Sequence, residues 1–417
     1  MNYLRERGIN FSQVKYKLLD KTIFKPYIRS NGHSSIPYSI IDHFKIKNPE
    51  VIFIKTYDSE DNSFNFRIKK LYYNGNSHII TLKSEKKIKN PEIEVLDIKS
   101  EKSLLLRKKS GLLKFIPKFT KKKTPIYIFD YGNSYLVGGY YKKDIFINKN
   151  ILNDKLLYSF LGLYLAEGGK TAASFTNSWP EAINIILDFI ENNFNIKRED
   201  ISASICCNSS LKSKKRKLEN FWKDKTGISK FFRSLHINKN VKSPQGILEL
   251  YFNSEILKEL FLNLIKKLNF SNDLNFINGF LSGDGSPILQ NKYCITHHVV
   301  FNPKDKIFNN LKYSNLFINY KFNFINKNRL VVYSNWDQNL FLLNKGIYSL
   351  SPMKRFRFFK SFLSLSKTKT NKSNEVKKLF EEYKKIKENL NKFYSSLVEY
   401  GIYNKKEMEE FVLKNLK

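Results

Sequence analysis

Two carboxylates stand one residue ahead of a glycine in stretches of like pattern: Glu167 in "FLGLYLAEGG" (160–169) and Asp284 in "INGFLSGDG" (277–285). Each run is apolar enough to form a helix. The glycine marks its expected stop, because glycine takes the left-handed conformation without a Cβ penalty. An acid is misplaced there: the free carbonyls carry roughly −0.5 of a charge, and a carboxylate in the last turn costs about 0.3–1 kcal/mol. Either the acid is tolerated accidentally, or something cationic compensates it. The two acids lie 117 positions apart, and each run has a glycine at its third position, Gly162 and Gly279. Glycine at that place lets two helix backbones approach closely. If the two helices pack together, Glu167 and Asp284 meet beside two negative helix ends. The natural counter-charge for such a cluster is a divalent metal with oxygen ligands.

The whole-chain charge says what that metal would work on. Lys and Arg number 73 against 38 acids, for a net +35 and a pI near 9.8. A chain that basic attracts polyanions, of which nucleic acid is the commonest. Apolar residues make up 41 % of the 417, enough for a substantial core and for two or three domains. Cys206, Cys207 and Cys294 form no ligand or disulfide pattern, which suits a reducing, intracellular compartment. His297 and His298 lack the partners of a zinc site. No apolar run reaches the ~18 residues of a membrane span, and "MNYLRERGINFSQ" lacks the apolar core of a signal peptide. Abundant Asn, Lys, Ile and Phe suggest an AT-rich genome, with an organelle matrix or prokaryotic cytoplasm as the expected setting.

The elements that must position the acids change in texture along the chain. Residues 1–150 carry β-branched and aromatic runs, "EVIFIKT", "FNFRIKKLYY", "SHIITLK", "EIEVLDI" and "PIYIFDYGNSYLVGGYY", separated by Asn, Gly, Pro and Lys. They predict a β-rich domain that adds further DNA contact. From 151 a repeat emerges. Leu156, Phe160 and Leu163 keep one helix face that Asn153 would cap, and "WPEAINIILDFIENNF" reads as a helix with Pro180 near its start. "DISASICC" and "GILELYFN" read as strands, and "SEILKELFLNLIKKL" as a helix. A second round follows: "LNFINGFLSGDGSP", a strand "KYCITHHVVF", a helix "PKDKIFNNLKY", strands "FINYKFNFI" and "RLVVYSN", and a helix from "WDQNLFLL". The insert 208–245 is polar and holds "KSKKRK". The tail is helical, with Val376, Leu379, Tyr383, Ile386, Leu390, Phe393 and Leu397 as its apolar stripe. Gly401 stops that helix, and Asn404 with Glu407 predicts a capping box.

The paired nonamers resemble the signature of the LAGLIDADG homing endonuclease family, in its single-chain, two-motif form, over roughly 151–365. The resemblance implies an α+β fold of duplicated αββαββα domains with pseudo-twofold symmetry. The first repeat would span 151–270 with the basic insert 208–245, the second 271–365. The β-rich 1–150 would precede them and a helical tail, 366–417, would follow. It further implies signature helices at the interface, two antiparallel sheets saddling the DNA major groove, and a monomer acting as a pseudo-dimer. Two or three Mg²⁺ ions near Glu167 and Asp284 would serve cleavage of both strands of a double-stranded target, as expected of an intron-encoded enzyme. Family sites often add a Lys or Gln near the metals. "SFTNSWPE" offers Asn177 and Ser178 there and no lysine, whereas Lys304 and Lys354 are candidates, with Lys354 preferred. DNA contact is expected from Lys170 and Lys292 beside the signature helices and from Lys212, Lys214, Lys215 and Arg216 in the insert.

Two alternatives use the same scaffold: an intron maturase with intron RNA as partner, and a catalytically silent DNA-binding regulator. The large basic surface and the poor lysine complement keep the maturase as an alternative to the nuclease, while two retained carboxylates argue against the regulator. An intein is not expected, because the ends carry no splicing nucleophile and no His-Asn ending. No membrane partner is expected.

Overall fold

The computed structural model describes residues 16–18, 20–45, 51–58, 63–73, 75, 77–82, 88, 91–98, 103–109, 112–118, 127–139, 142–152, 154–169, 172–252, 254–267, 273–290, 294–300, 321–326, 329–334, 336–366 and 373–416. The chain is α+β with several separate sheets. It divides into two compact units, 1–107 with 114–150, and 108–113 with 151–417.

The first unit is built on a five-stranded sheet in the order Tyr16–Leu18, Ile23–Pro26, Glu92–Ile98, Val51–Asp58, Ser63–Lys70. Alternate residues of a strand face opposite sides, and Val51–Asp58 is covered on both. Ile52 and Ile54 join Phe24, Ile40, Ile80 and Leu82 in one cluster, with α1 (Tyr38–His43) on that side. Val51 and Phe53 join Tyr127, Phe129 and Leu136 in another. Double-sided burial is why "EVIFIKT" is a continuous apolar run instead of an alternating one. The second cluster draws on a three-stranded meander, Tyr127–Tyr131, Ser134–Gly139 and Lys142–Asn148.

The second unit opens with α2 (Lys155–Glu167). Its N-cap is Asp154, whose carboxylate accepts from Leu157 N at 3.0 Å. The expected cap Asn153 lies outside the described residues; an acid at the N-terminus also suits the helix dipole. Gly168 forms an antiparallel bridge to Phe175, the strand Ser174–Asn177 follows, and α3 (Pro180–Phe194) packs on α2. Phe160 of α2 stacks on Phe189 of α3 at 3.9 Å between centroids. The sheet runs Ser174–Asn177, Ile247–Tyr251, Ser202–Cys207, and the short pieces Lys230–Phe231 and His236–Ile237 extend its edge.

The insert departs from its expected polar character. It forms a 3₁₀ turn, Ser209–Lys214, and α4 (Lys215–Thr226), with Leu211, Leu218, Phe221 and Trp222 buried. Three- and four-residue spacing hides Leu218, Phe221 and Trp222 on one face of α4 among the lysines. Then come α5 (Glu255–Lys267) and α6 (Leu274–Asp284), capped by Asp273, which accepts from Asn275 N and Phe276 N at 2.7 and 3.2 Å. A four-stranded antiparallel sheet follows, ordered Gly285–Gln290, Cys294–Val300, Arg329–Ser334, Lys321–Asn326. The helix expected at "PKDKIFNNLKY" lies outside the described residues.

Helices α7 (Trp336–Asn344), α8 (Pro352–Ser366), α9 (Ser373–Glu399) and α10 (Lys405–Leu416) complete the unit. The stripe of α9 packs on its own unit: Leu379, Leu390 and Leu397 are buried, and Phe393 lies 5.1 Å from Trp179 and 5.8 Å from Phe221 between centroids. Gly401 ends α9 at φ +65, and Asn404 and Glu407 cap α10 reciprocally at 3.0 and 2.8 Å.

His297 is buried at the middle of the second sheet. Its Nε2–H donates to Asn339 Oδ1 at 3.1 Å, and its Nδ1 accepts the Tyr348 hydroxyl at 2.8 Å, which ties the strand to α7 and to the turn beyond it. Accepting the Tyr348 hydroxyl needs the neutral ring. Burial lowers its pKa from 6.5 to about 4, outweighing the opposing hydrogen bond to Asn339. Between those values the unfolded chain takes a proton that the folded chain refuses, so stability falls as pH drops through that window. The full loss is roughly 3 kcal/mol at about 1.36 kcal/mol per pKa unit. Urea unfolding of a His297→Gln chain at pH 6.5 and 4 should therefore show a loss smaller than the native chain's by about that amount. Equal losses in the two chains would remove His297 as the acid-sensitive group.

Candidate active site

The site begins with two glycines. A Cβ placed on Gly162 would strike the Phe276 carbonyl and lie 2.8 Å from Phe280 N. One placed on Gly279 would lie 2.5 Å from Ser159 O and 3.0 Å from Leu163 N. Each glycine therefore faces the carbonyl three residues before the other and the amide one residue after it. That contact reads the same in both directions, as a local twofold relation between α2 and α6 requires. Further along, a Cβ on Gly283 would lie 2.5 Å from Ala166 Cβ and 3.2 Å from Glu167 Cγ. The two helices run in the same direction and their C-terminal ends converge.

Both helices then stop, though without the left-handed glycine expected from sequence. Gly168 has φ −74 and ψ 144, and Gly285 has φ −72 and ψ 148, so the chain leaves each helix directly in extended backbone. The requirement for glycine is steric. A Cβ on Gly168 would lie 2.7 Å from the Tyr164 ring, and one on Gly285 would lie 2.6 Å from the Leu281 carbonyl.

Neither last turn contains a basic residue. The compensating cation comes from α8. Lys354 Nζ donates to Ser282 O at 2.9 Å and to Gly283 O, capping the end of α6. It lies within the electrostatic reach of both Glu167 and Asp284. Burial pushes the Glu167 carboxyl above its usual range, against the pull of Lys354. Burial lowers the Lys354 ammonium to about 8, outweighing the two carboxylates, and Arg357 adds to the lowering. The result is a partly buried pair of acids sharing one lysine whose proton is held loosely near neutral pH. Such perturbed groups gather where chemistry is done.

The donor set suits a hard divalent ion. Two carboxylates at converging helix ends offer oxygen ligands, and the raised pKa of Glu167 marks negative charge that burial leaves under-compensated. Among the described residues no three His, Cys, Asp or Glu side chains gather to enclose a metal. Magnesium does not need such a cage, because it keeps several waters and binds through one or two carboxylates plus substrate phosphates. Glu167 and Asp284 therefore fit that ion.

The remaining expected residues are placed variously. Lys170, Lys292 and Lys304 lie outside the described residues. Asn177 is buried and turned inward, accepting from Trp179 N at 2.9 Å. Lys212 and Arg216 are exposed on the insert. Lys215 instead pairs with Glu219 at 3.0 Å, and Lys214 lies over the Tyr403 ring at 5.2 Å, so these two are partly committed to the fold. Sequence reasoning missed the role of Ser282 and Gly283 as carbonyl anchors for Lys354. It also missed Asn278, which braces α6 through bonds to Ser349 Oγ and N at 2.8 and 3.1 Å. A lysine in the basic run "MKRFRFFK" gives no hint of the carbonyls it will meet. Among the described residues no helix is long and apolar enough to cross a membrane. A scan against protein-family models finds no match, and a search of curated proteins finds none either.

Proposed function

We propose that this chain is a site-specific, divalent-metal-dependent DNA endonuclease of the LAGLIDADG homing type, cutting both strands of its target. The observation that carries the reading is the reciprocal glycine contact between α2 and α6, with Glu167, Asp284 and Lys354 gathered at its end. A net charge of +35 supports a polyanionic substrate.

Glu167 and Asp284 would hold the ion, one from each motif. When bound there, Mg²⁺ supplies a lowered pKa for water and stabilisation of the leaving oxygen. The protein's own groups do the rest. Lys354, fixed by two carbonyls, presents a single positive charge where a phosphate oxygen gains negative charge. Its amine, lowered to about 8, is also able to exchange a proton near neutral pH. Exposed cations such as Lys212 and Arg216 would draw the duplex in and make affinity steeply salt-dependent.

The test is cleavage of a duplex carrying the intron-less form of the host gene, with Mg²⁺, Ca²⁺ or EDTA. Double-strand cutting is expected in Mg²⁺ and none in EDTA. Tight binding without cutting in every metal would overturn the nuclease reading and favour the maturase or regulator. A thermal measurement stands apart from activity. Lys354→Met removes the cation shared by both acids, and should lower stability by about 2 kcal/mol, less than the 3–5 of a fully buried pair. Mg²⁺ should then raise the melting temperature of Lys354→Met more than that of the native chain. An equal shift in the two chains would speak against metal at these carboxylates.

A further inference from the structure

A cavity of about 780 Å³ lies wholly within the second unit. Its walls are the end of the Ser174–Asn177 strand, the loop before Ile247, the first turn of α8, and the α9–α10 hairpin. The volume is that of a small-molecule site. Lys239, Lys242, Lys354, Arg357 and Lys414 line it, and none of its described lining residues is acidic. Ser351, just ahead of α8, and Met353 in its first turn line the cavity, and a helix N-terminus directs free backbone N–H groups at an anion. Charge and helix end both select a phosphate.

Two buried polar atoms narrow the ligand further. Ser351 is 1 % exposed and Gln245 0 %, and both line the cavity. Ser351 Oγ and Gln245 Oε1 find no hydrogen-bond partner among the described residues. The Ser351 hydroxyl, at the start of α8, can donate to a phosphate. Gln245 Oε1 can only accept, and the bond from Gln245 Nε2 to the Ser178 carbonyl at 2.6 Å fixes which end of the amide it is. An orphaned buried acceptor costs about 1–3 kcal/mol, and a phosphate at neutral pH offers it little. It calls for an N–H donor on the same ligand. Trp179, Tyr403 and Phe411 supply aromatic surface in the same walls, the usual platform for a base.

We propose that this cavity binds a nucleotide, its phosphate toward Ser351 and the lysines and an amino or imino N–H of its base toward Gln245. The site shares Lys354 with the carboxylate pair, yet nucleotide binding does not depend on cutting. The nucleotide has two sources, a free mononucleotide or the 5′-phosphorylated end of a strand.

The experiment is calorimetric titration of the full chain with the four deoxynucleoside 5′-monophosphates, the matching nucleosides, inorganic phosphate and a 5′-phosphorylated trinucleotide. One-to-one binding of at least one nucleotide is expected, ten-fold or more tighter than either its nucleoside or phosphate. Lys242→Glu with Lys414→Glu, both at exposed positions, should weaken it at least ten-fold. Gln245→Leu should bring the nucleotide down toward the affinity of phosphate. Because that change also removes the Ser178 bond, Ser351→Ala is the second variant, expected to weaken nucleotide and phosphate alike, with folding checked by melting temperature. A trinucleotide tighter than the mononucleotide identifies the strand end, and the reverse order a free nucleotide; either supports the site. Equal affinity for nucleotide and phosphate, or no change in the charge-reversed chain, overturns it. A chain that binds nucleotide but never cuts refutes the nuclease alone; one that cuts without nucleotide preference refutes this site alone.

Discussion

Glu167→Gln and Asp284→Asn are each expected to reduce DNA cleavage about a thousand-fold, roughly 4 kcal/mol of transition-state stabilisation, and Glu167→Gln is expected to leave the fold at least as stable. The opposite signs are what make the pair informative. Glu167 is held above its usual pKa by burial, with Lys354 pulling the other way. A carboxyl whose folded pKa exceeds its unfolded value binds protons more readily in the fold. Stability therefore declines as pH rises through that interval, and the charged form is a burden at neutral pH. The neutral amide keeps the shape and removes the burden. A merely structural acid behaves otherwise, since replacing it would cost stability and leave chemistry alone. Cleavage in Mg²⁺ and urea unfolding of the same preparations read both quantities. Retained cleavage in either variant, or activity lost together with stability in Glu167→Gln, would sink the catalytic assignment.

The site's legibility in sequence differed residue by residue, for physical reasons. Gly162 and Gly279 were readable because a glycine inside an apolar helix is costly and needs an explanation. The cation was readable as one of two alternatives, since an acid in a last turn is either tolerated or compensated, but its source was not. Lys354 and Lys304 are chemically identical, and only the packing of α8 brings Lys354 to the Ser282 and Gly283 carbonyls. The helix stops were right in place and wrong in kind. Gly168 and Gly285 avoid collisions with Tyr164 and Leu281 in extended backbone, and nothing local distinguishes that from a left-handed cap. The insert misled because lysines dominate its composition, while burial is decided by the spacing of Leu218, Phe221 and Trp222. His297 and His298 are neighbours, yet strand alternation sends only His297 inward to Tyr348 and Asn339.

The helix pair gives the second large effect. Alanine at Gly279 would put a methyl 2.5 Å from Ser159 O, 3.0 Å from Leu163 N and 3.3 Å from Gly162 Cα. Alanine at Gly162 meets the Phe276 carbonyl and Phe280 N in the same way. These neighbours are helix backbone and cannot rotate aside, so the helices must separate. Two terms compete. Alanine is favoured over glycine in a helix by about 1 kcal/mol, whereas overpacking costs about 1–3 kcal/mol, and more where the neighbour is rigid. The second term should win, leaving each single substitution about 2 kcal/mol less stable by urea unfolding, and valine worse. Because one methyl already forces the helices apart, the second finds the space partly opened. Gly162→Ala with Gly279→Ala should therefore cost less than the sum of the two, with a coupling of about 1 kcal/mol. Strict additivity would mean that the glycines act separately. A net gain of about 1 kcal/mol at either position, the response of an exposed helical glycine, would mean that α2 and α6 do not touch there. In that case Glu167 and Asp284 would lose the contact that brings them to one place.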